Sequence, residues 1–184
     1  MKLGEKCIKS KEVFSGNVIR VCCDDIELPN GKCATREYVK HNGAVAIIPV
    51  TDSGEIIMEE QFRYAHNRVF LEIPAGKLES PDEVPVDAAR RELKEETGAV
   101  AKKITFLGVY IPSPAILGEK IYMYLAEGLR FEDTKLDEDE FLNVRRYSLD
   151  TLIDKVMRGE IEDGKTQIAV LKLAHIYAKR NNKI

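Results

Sequence analysis

The run Ala44-Val45-Ala46-Ile47-Ile48-Pro49-Val50 constrains the fold more than any other part of the chain. A strand with one wet face alternates apolar and polar side chains, whereas one that is apolar throughout needs cover on both faces. The flanking pattern supplies such cover. An Asp52-Ser53-Gly54 turn leads into a second strand over 55–62, and a third short run over 70–73 stops at Pro74-Ala75-Gly76. The spacing then predicts a helix over 85–97. Pro85 suits its first turn, Gly98 suits the residue past its end, and Val86, Ala89 and Leu93 recur as a buried stripe. Further strands are expected over 104–111 and 121–126, and further helices over 149–158 and 166–180. The acidic stretch 132–140 reads as a solvated loop. Helices interleaved with strands define an α/β class built around a mixed sheet.

The first forty residues read differently, as strands and turns. Residues 18–21 and 26–28 precede a Pro29-Asn30-Gly31 turn, and 32–40 return as the second arm of a hairpin. This part either extends the main sheet or forms a small separate sheet that meets a second subunit. The expected division is an N-terminal β extension over 1–42, a candidate dimerisation element, and one main domain over 43–184. At 184 residues the chain is long enough to fold without disulfides or a structural metal. Its 28 basic and 31 acidic residues give a net charge of −3, which sets up no field to recruit nucleic acid or anionic lipid. No stretch reaches the ~18 apolar residues of a membrane span, and the opening MKLGEKCIKSKEVF lacks the apolar core of a secretory signal. Cys7, Cys22, Cys23 and Cys33 show no metal-ligand spacing. Cys22 and Cys23 are adjacent in a strand and face opposite ways, so the cysteines are read as reduced thiols and the compartment as cytoplasmic.

Chemistry concentrates in residues 76–98. On a helix Glu92, Glu95 and Glu96 fall at i, i+3 and i+4, so their carboxylates project to neighbouring positions near the C-terminal end. Like charges at that spacing destabilise a helix, and the helix dipole disfavours anions there. Arg90, Arg91 and Lys94 offset part of this. A hard divalent cation such as Mg²⁺, which prefers carboxylate oxygens, offsets more. The bland reading is a solvated acidic face.

The wider run decides between them. Glu83-x7-Arg91-Glu92-Leu93-x-Glu95-Glu96-x-Gly98 resembles the signature of the Nudix hydrolases, G-x5-E-x7-R-E-U-x-E-E-x-G-U, where U is a bulky aliphatic residue. Six residues rather than five separate Gly76 from Glu83, and the final U is Ala99. Either Glu83 fills the first acidic slot or Asp82 does, with the extra residue on its other side. Gln61-Phe62-Arg63-Tyr64, Leu71-Glu72-Ile73-Pro74-Ala75-Gly76 and Ser113-Pro114 are similar to motifs of the ADP-ribose pyrophosphatase branch of that family. The resemblance runs from about Arg36 to the C-terminal helix, and Ala115 departs from the glycine usual after Ser-Pro.

The resemblance implies a Nudix-type α/β/α sandwich with a mixed sheet and an N-terminal antiparallel β extension. It implies hydrolysis of a nucleoside diphosphate sugar, first ADP-ribose to AMP and ribose 5-phosphate, with Mg²⁺ as cofactor and Mn²⁺ able to substitute. Glu92, Glu96 and the main-chain carbonyl of Ala75 are the implied metal ligands. Glu95 contributes through water or orients the cluster, and Arg91 pairs with a carboxylate of the motif. Glu119, on the loop after the next strand, is the candidate general base or extra ligand. Arg63 and Arg36 are the candidate phosphate and substrate contacts, since guanidinium forks match phosphate oxygens, and Glu72 lies near the metals on the strand entering Pro74. Phe14, Phe62, Tyr38 and Tyr64 are available to stack on the base, and His41, His66 and His175 read as structural or surface residues. A homodimer through the N-terminal strands is expected by analogy. The alternatives are a pyrophosphatase for another nucleoside diphosphate sugar, such as GDP-mannose, and a non-catalytic nucleotide-sensing module.

Overall fold

The computed structural model describes residues 3–134 and 141–181. β1 (Lys6–Ser15), β2 (Arg20–Glu27) and β3 (Cys33–Lys40) form an antiparallel three-stranded sheet of their own. The N-terminal segment therefore forms a sheet of its own rather than extending the main one. β4 (Ala44–Val50), β5 (Ile56–Arg63), β6 (Arg68–Glu72) and β7 (Ala75–Lys77) lead into helix α1 (Pro85–Thr97). β8 (Ala99–Tyr110), β9 (Ile121–Phe131), β10 (Leu142–Tyr147), α2 (Leu149–Met157) and α3 (Gly164–Asn181) complete the chain.

The main sheet is ordered β10-β5-β4-β9-β8, with β6 bonded to β5 and β7 to β4. β4 and β9 run parallel and the other pairs antiparallel, so the sheet is mixed. All of β4 is buried, and its alternate side chains enter two cores. Ala44, Ala46, Ile48 and Val50 pack with Leu152, Val170 and Leu173 from α2 and α3. Val45 and Ile47 pack with Ala88, Ala89 and Leu93 of α1 on the opposite face. This is the double cover that an uninterrupted apolar strand requires, and each fully buried aliphatic side chain contributes roughly 1.5–3 kcal/mol.

Helix α1 keeps its expected ends. Pro85 opens it, and Gly98 adopts φ 69 while its N–H closes on the Lys94 carbonyl. Two short strands, β7 and β10, stand where a turn and no element were expected, and β8 begins at Ala99 rather than near 104. Cys22 is buried and its neighbour Cys23 half-buried, as opposite faces of β2 require, and the four cysteines are free thiols. Residues 135–140, most of the acidic stretch read as a solvated loop, lie outside the described residues. No described helix is long and apolar enough to cross a membrane.

Candidate active site

The short strand β7 and the last two turns of α1 meet edge to face. Glu96 is 1% exposed, and the Ala75 N–H donates to its Oε2 at 3.1 Å. Glu92 is 8% exposed and lies against Gly76. A Cβ built on Gly76 would fall 1.9 Å from the Glu92 carboxyl carbon, so the carboxylate occupies the space a side chain would take. The glycine is needed here for close approach, and helix packing on β7 puts both carboxylates against one stretch of backbone.

Arg91 ties the rest together. Its Nη1 donates to Glu92 at 2.8 Å and to Glu95 at 3.1 Å, while Nε and Nη2 both reach Glu83 Oε1 at 3.3 Å. Nη2 also donates to the Lys77 carbonyl at 3.3 Å, which fixes the loop before α1 to the helix. Partial burial works against the charged guanidinium, but the facing carboxylates of Glu92, Glu95 and Glu83 outweigh it and raise the Arg91 pKa. Glu83 also accepts from the Glu79 N–H at 2.6 Å, whereas Asp82 is exposed. Glu83 is thus the acidic residue that turns toward the helix, and the extra residue is absorbed in the preceding loop.

A second charged group faces the same cleft, whose volume is about 1100 Å³. Glu72, 4% exposed, accepts from Arg63 Nε and Nη2 at 2.8 Å each, and Lys165 Nζ also donates to it. Burial pushes the Glu72 carboxyl up, but the Arg63 hydrogen bonds and the charges of Lys165 and Arg63 prevail, holding it at about 2. The hydrogen bond to Glu72, with the charges of Glu72, Asp163 and Glu96, raises the Arg63 pKa against its partial burial. Lys165 also meets Asp163 at 3.0 Å, and Asp163 accepts the Thr166 N–H at 3.0 Å at the start of α3.

Glu119 lies on the cleft wall, on the loop between β8 and β9. That loop is clipped to β3, through Val39 N–H to the Ile116 carbonyl at 2.8 Å and Gly118 N–H to the Val39 carbonyl at 2.9 Å. His41, expected to be structural or on the surface, also lines the cleft, with Nδ1 3.6 Å from Glu119 and accepting the Gly43 N–H at 3.0 Å. The structure therefore gathers Arg63, Glu72, Ala75, Arg91, Glu92, Glu95 and Glu119 around one cleft, with Glu96 bonded to Ala75 beside it. Arg36 is not among them. It sits on β3, exposed, with Nε 3.0 Å from Glu5. Lys165 and Asp163 belong to no motif in the sequence, although a lysine in the first turn of a helix opposes the dipole and signals a local anionic partner.

The donor set suits a hard divalent cation. Glu92 and Glu96 offer carboxylate oxygens and the Ala75 backbone adjoins them, the hard oxygen donors that Mg²⁺ prefers. Among the described residues, no three Asp, Glu, His or Cys side chains stand gathered as a ready ligand set. Glu92 and Glu95 turn to Arg91, and Glu96 turns to the Ala75 N–H.

A mixed sheet between helical layers, with an arginine-bound glutamate cluster at the end of α1, defines a class that comparison with known proteins identifies. The NUDIX domain family model matches residues 40–167, and that of the nucleoside diphosphate sugar hydrolase N-terminal domain matches 5–39. The chain belongs to the Nudix family and is a Nudix hydrolase. It is 47% identical over 170 residues to the ADP-ribose pyrophosphatase of Bacillus subtilis, covering 91% of each chain. It is 42% identical over 168 residues to the methanol dehydrogenase activator of Bacillus methanolicus, covering 90% of each. A crystal structure of an ADP compounds hydrolase superposes with a TM-score of 0.85 at 24% identity over the full length of both chains, which supports the fold.

Proposed function

We propose that the chain is a Mg²⁺-dependent ADP-ribose pyrophosphatase, adding water across the diphosphate of ADP-ribose to give AMP and ribose 5-phosphate. The observation that carries this is the pair of carboxylates, Glu92 and Glu96, packed on the Ala75-Gly76 backbone. Similarity to the Bacillus subtilis enzyme supports the choice of substrate.

Glu92, Glu96 and the Ala75 carbonyl would hold the cation, with Glu95 beside them. When bound, the cation neutralises the diphosphate and lowers the pKa of water. The protein's own residues supply the remainder. Arg91 spreads its donors over three carboxylates and keeps them in register despite their mutual repulsion. Arg63 offers its guanidinium to a phosphate oxygen. Glu119 accepts the proton of the attacking water, and its clipped loop brings it to the cleft wall.

The division into a β extension over 1–42 and a hydrolase domain over 43–184 belongs to the same reading, as does a cytoplasmic homodimer with no nucleic-acid or membrane partner. Ile8, Val13 and Phe14 are each more than half exposed on β1, and apolar side chains left uncovered on a strand support pairing with a second copy. In such a dimer Arg36 would serve from the extension rather than from its own cleft.

The test is the ratio of kcat/KM values across ADP-ribose, GDP-mannose and other nucleoside diphosphate sugars at one Mg²⁺ concentration. ADP-ribose is expected to be the best substrate. A tenfold or larger preference for GDP-mannose would overturn the substrate assignment in favour of the alternative.

A further inference from the structure

Lys165 and Asp163, at the start of α3, line the same cleft and take no part in holding the cation or the attacking water. Lys165 is 8% exposed in the first turn of α3, where the helix dipole disfavours a cation. Two carboxylates retain it there. Its Nζ donates to Glu72 Oε2 and lies 3.0 Å from Asp163 Oδ2. The neighbouring Thr166 hydroxyl accepts the N–H of Ile73 at 2.9 Å, so α3 grips β6 and the residue after it at two successive positions. Asp163 is fixed in turn, because it accepts the Thr166 N–H at 3.0 Å and the Thr166 hydroxyl at 2.5 Å.

Glu72 transmits this fixation to Arg63. Both carboxylate oxygens are engaged by Nε and Nη2, the planar fork that defines a guanidinium's orientation. Among the described residues no hydrogen bond engages Nη1, and the Arg63 side chain is 40% exposed on the cleft. Two cations also face two carboxylates, so the group is neutral overall. Removing Lys165 would free Glu72 to rotate away from the fork.

We propose that Lys165 is a positioning residue for substrate binding: through Glu72 it orients Arg63 so that Nη1 meets a phosphate oxygen of the diphosphate. This rests on the reading of the cleft as a nucleoside diphosphate sugar site. Lys165 itself touches carboxylates and not the substrate, so its effect belongs in binding rather than in the chemical step.

The test compares Lys165→Met, Lys165→Arg, Arg63→Ala and the Lys165→Met/Arg63→Ala double variant. KM and kcat are measured on ADP-ribose, with folding checked by circular dichroism. Lys165→Met should raise KM about tenfold with kcat changed less than about threefold, and Lys165→Arg should recover most of the loss. In the Arg63→Ala background the same change should alter KM less than about twofold, since the route through Arg63 is already cut. Equal KM effects in both backgrounds, or none in either, would overturn the proposal. Calorimetric titration with ADP provides a readout without turnover. A folded Lys165→Met or Lys165→Gln protein that binds ADP as tightly as the wild type overturns the inference. Absence of ADP-ribose hydrolysis by the wild type instead removes the functional reading, and the ADP titration still decides the role of Lys165.

Discussion

Replacing Gly76 by alanine separates the fold from the site. The new Cβ would lie 1.9 Å from the Glu92 carboxyl carbon and 2.0 and 2.2 Å from its oxygens. Ordinary carbon contacts begin near 3.5 Å, so the carboxylate must retreat by about 1.5 Å. The atoms in the way belong to the far end of a flexible side chain, so the backbone need not move. The Arg91–Glu92 bond of 2.8 Å is lost or lengthened, while Arg91 keeps Glu83 and Glu95. Losing one charge-assisted bond, with Glu92 rehydrated, costs about 1–2 kcal/mol, partly offset by the reduced freedom of the unfolded chain when glycine becomes alanine. Catalysis is far less tolerant, since a 1 Å misplacement can cost about 100-fold. Gly76→Ala should therefore unfold within about 2 kcal/mol of the wild type in urea and yet lose about 100-fold in kcat on ADP-ribose. Added to Glu92→Ala, it should cost little more, because the displaced group is already gone. A Gly76→Ala enzyme within threefold of wild-type kcat would refute the claim that catalysis depends on where Glu92 lies.

Two further outcomes concern stability. Glu72 has its pKa lowered from 4.5 to about 2, so its contribution is fully present above pH 4.5 and is lost as pH falls through 2. The shift corresponds to about 3 kcal/mol, and urea titrations should show a shallower acid limb for Glu72→Gln than for the wild type over that window; parallel limbs would contradict the pairing. Gly98→Ala should destabilise by about 2–4 kcal/mol in urea melts, because φ 69 disfavours a side chain and the Cβ would sit 2.3 Å from the Glu132 carbonyl oxygen; an unchanged midpoint would contradict that packing.

Much of this architecture was legible in the residues because the signals were local. The apolar run of β4 demanded two covering layers, and α1 carried its boundaries in Pro85 and Gly98. The elements that escaped lack such signals. β10 is mostly exposed and carries Arg145 and Arg146, so it shows no buried stripe. β1 is exposed along its whole length, so burial imposes no alternation on it. β7 is only three residues long and is held by pairing with Ala44, Val45 and Ala46, a long-range fact invisible in Pro74-Ala75-Gly76.

The site divides along the same line. The three glutamates and Arg91 share one helix, where spacing sets their neighbours: Glu92 and Glu95 meet Arg91, while Glu96 turns to the Ala75 N–H. Lys165 and Glu72 are separated by 93 residues and meet only because α3 packs its first turn on β6. A lone histidine such as His41 carries no spacing information, yet it lies 3.6 Å from Glu119. Arg36 shows the reverse case. Its motif resemblance pointed to substrate, while its position on the separate N-terminal sheet leaves it paired with Glu5.

The most direct measurement is the separation of products after purified protein is incubated with ADP-ribose and Mg²⁺, alongside an EDTA control and the Glu96→Gln variant. AMP and ribose 5-phosphate should form in equal amounts with the wild type and disappear in both controls, with Glu96→Gln retaining the wild-type circular dichroism spectrum. Near-normal product formation by a folded Glu96→Gln enzyme, or turnover indifferent to EDTA, would contradict the assignment of the Glu92–Glu96 cluster as the metal-holding catalytic site.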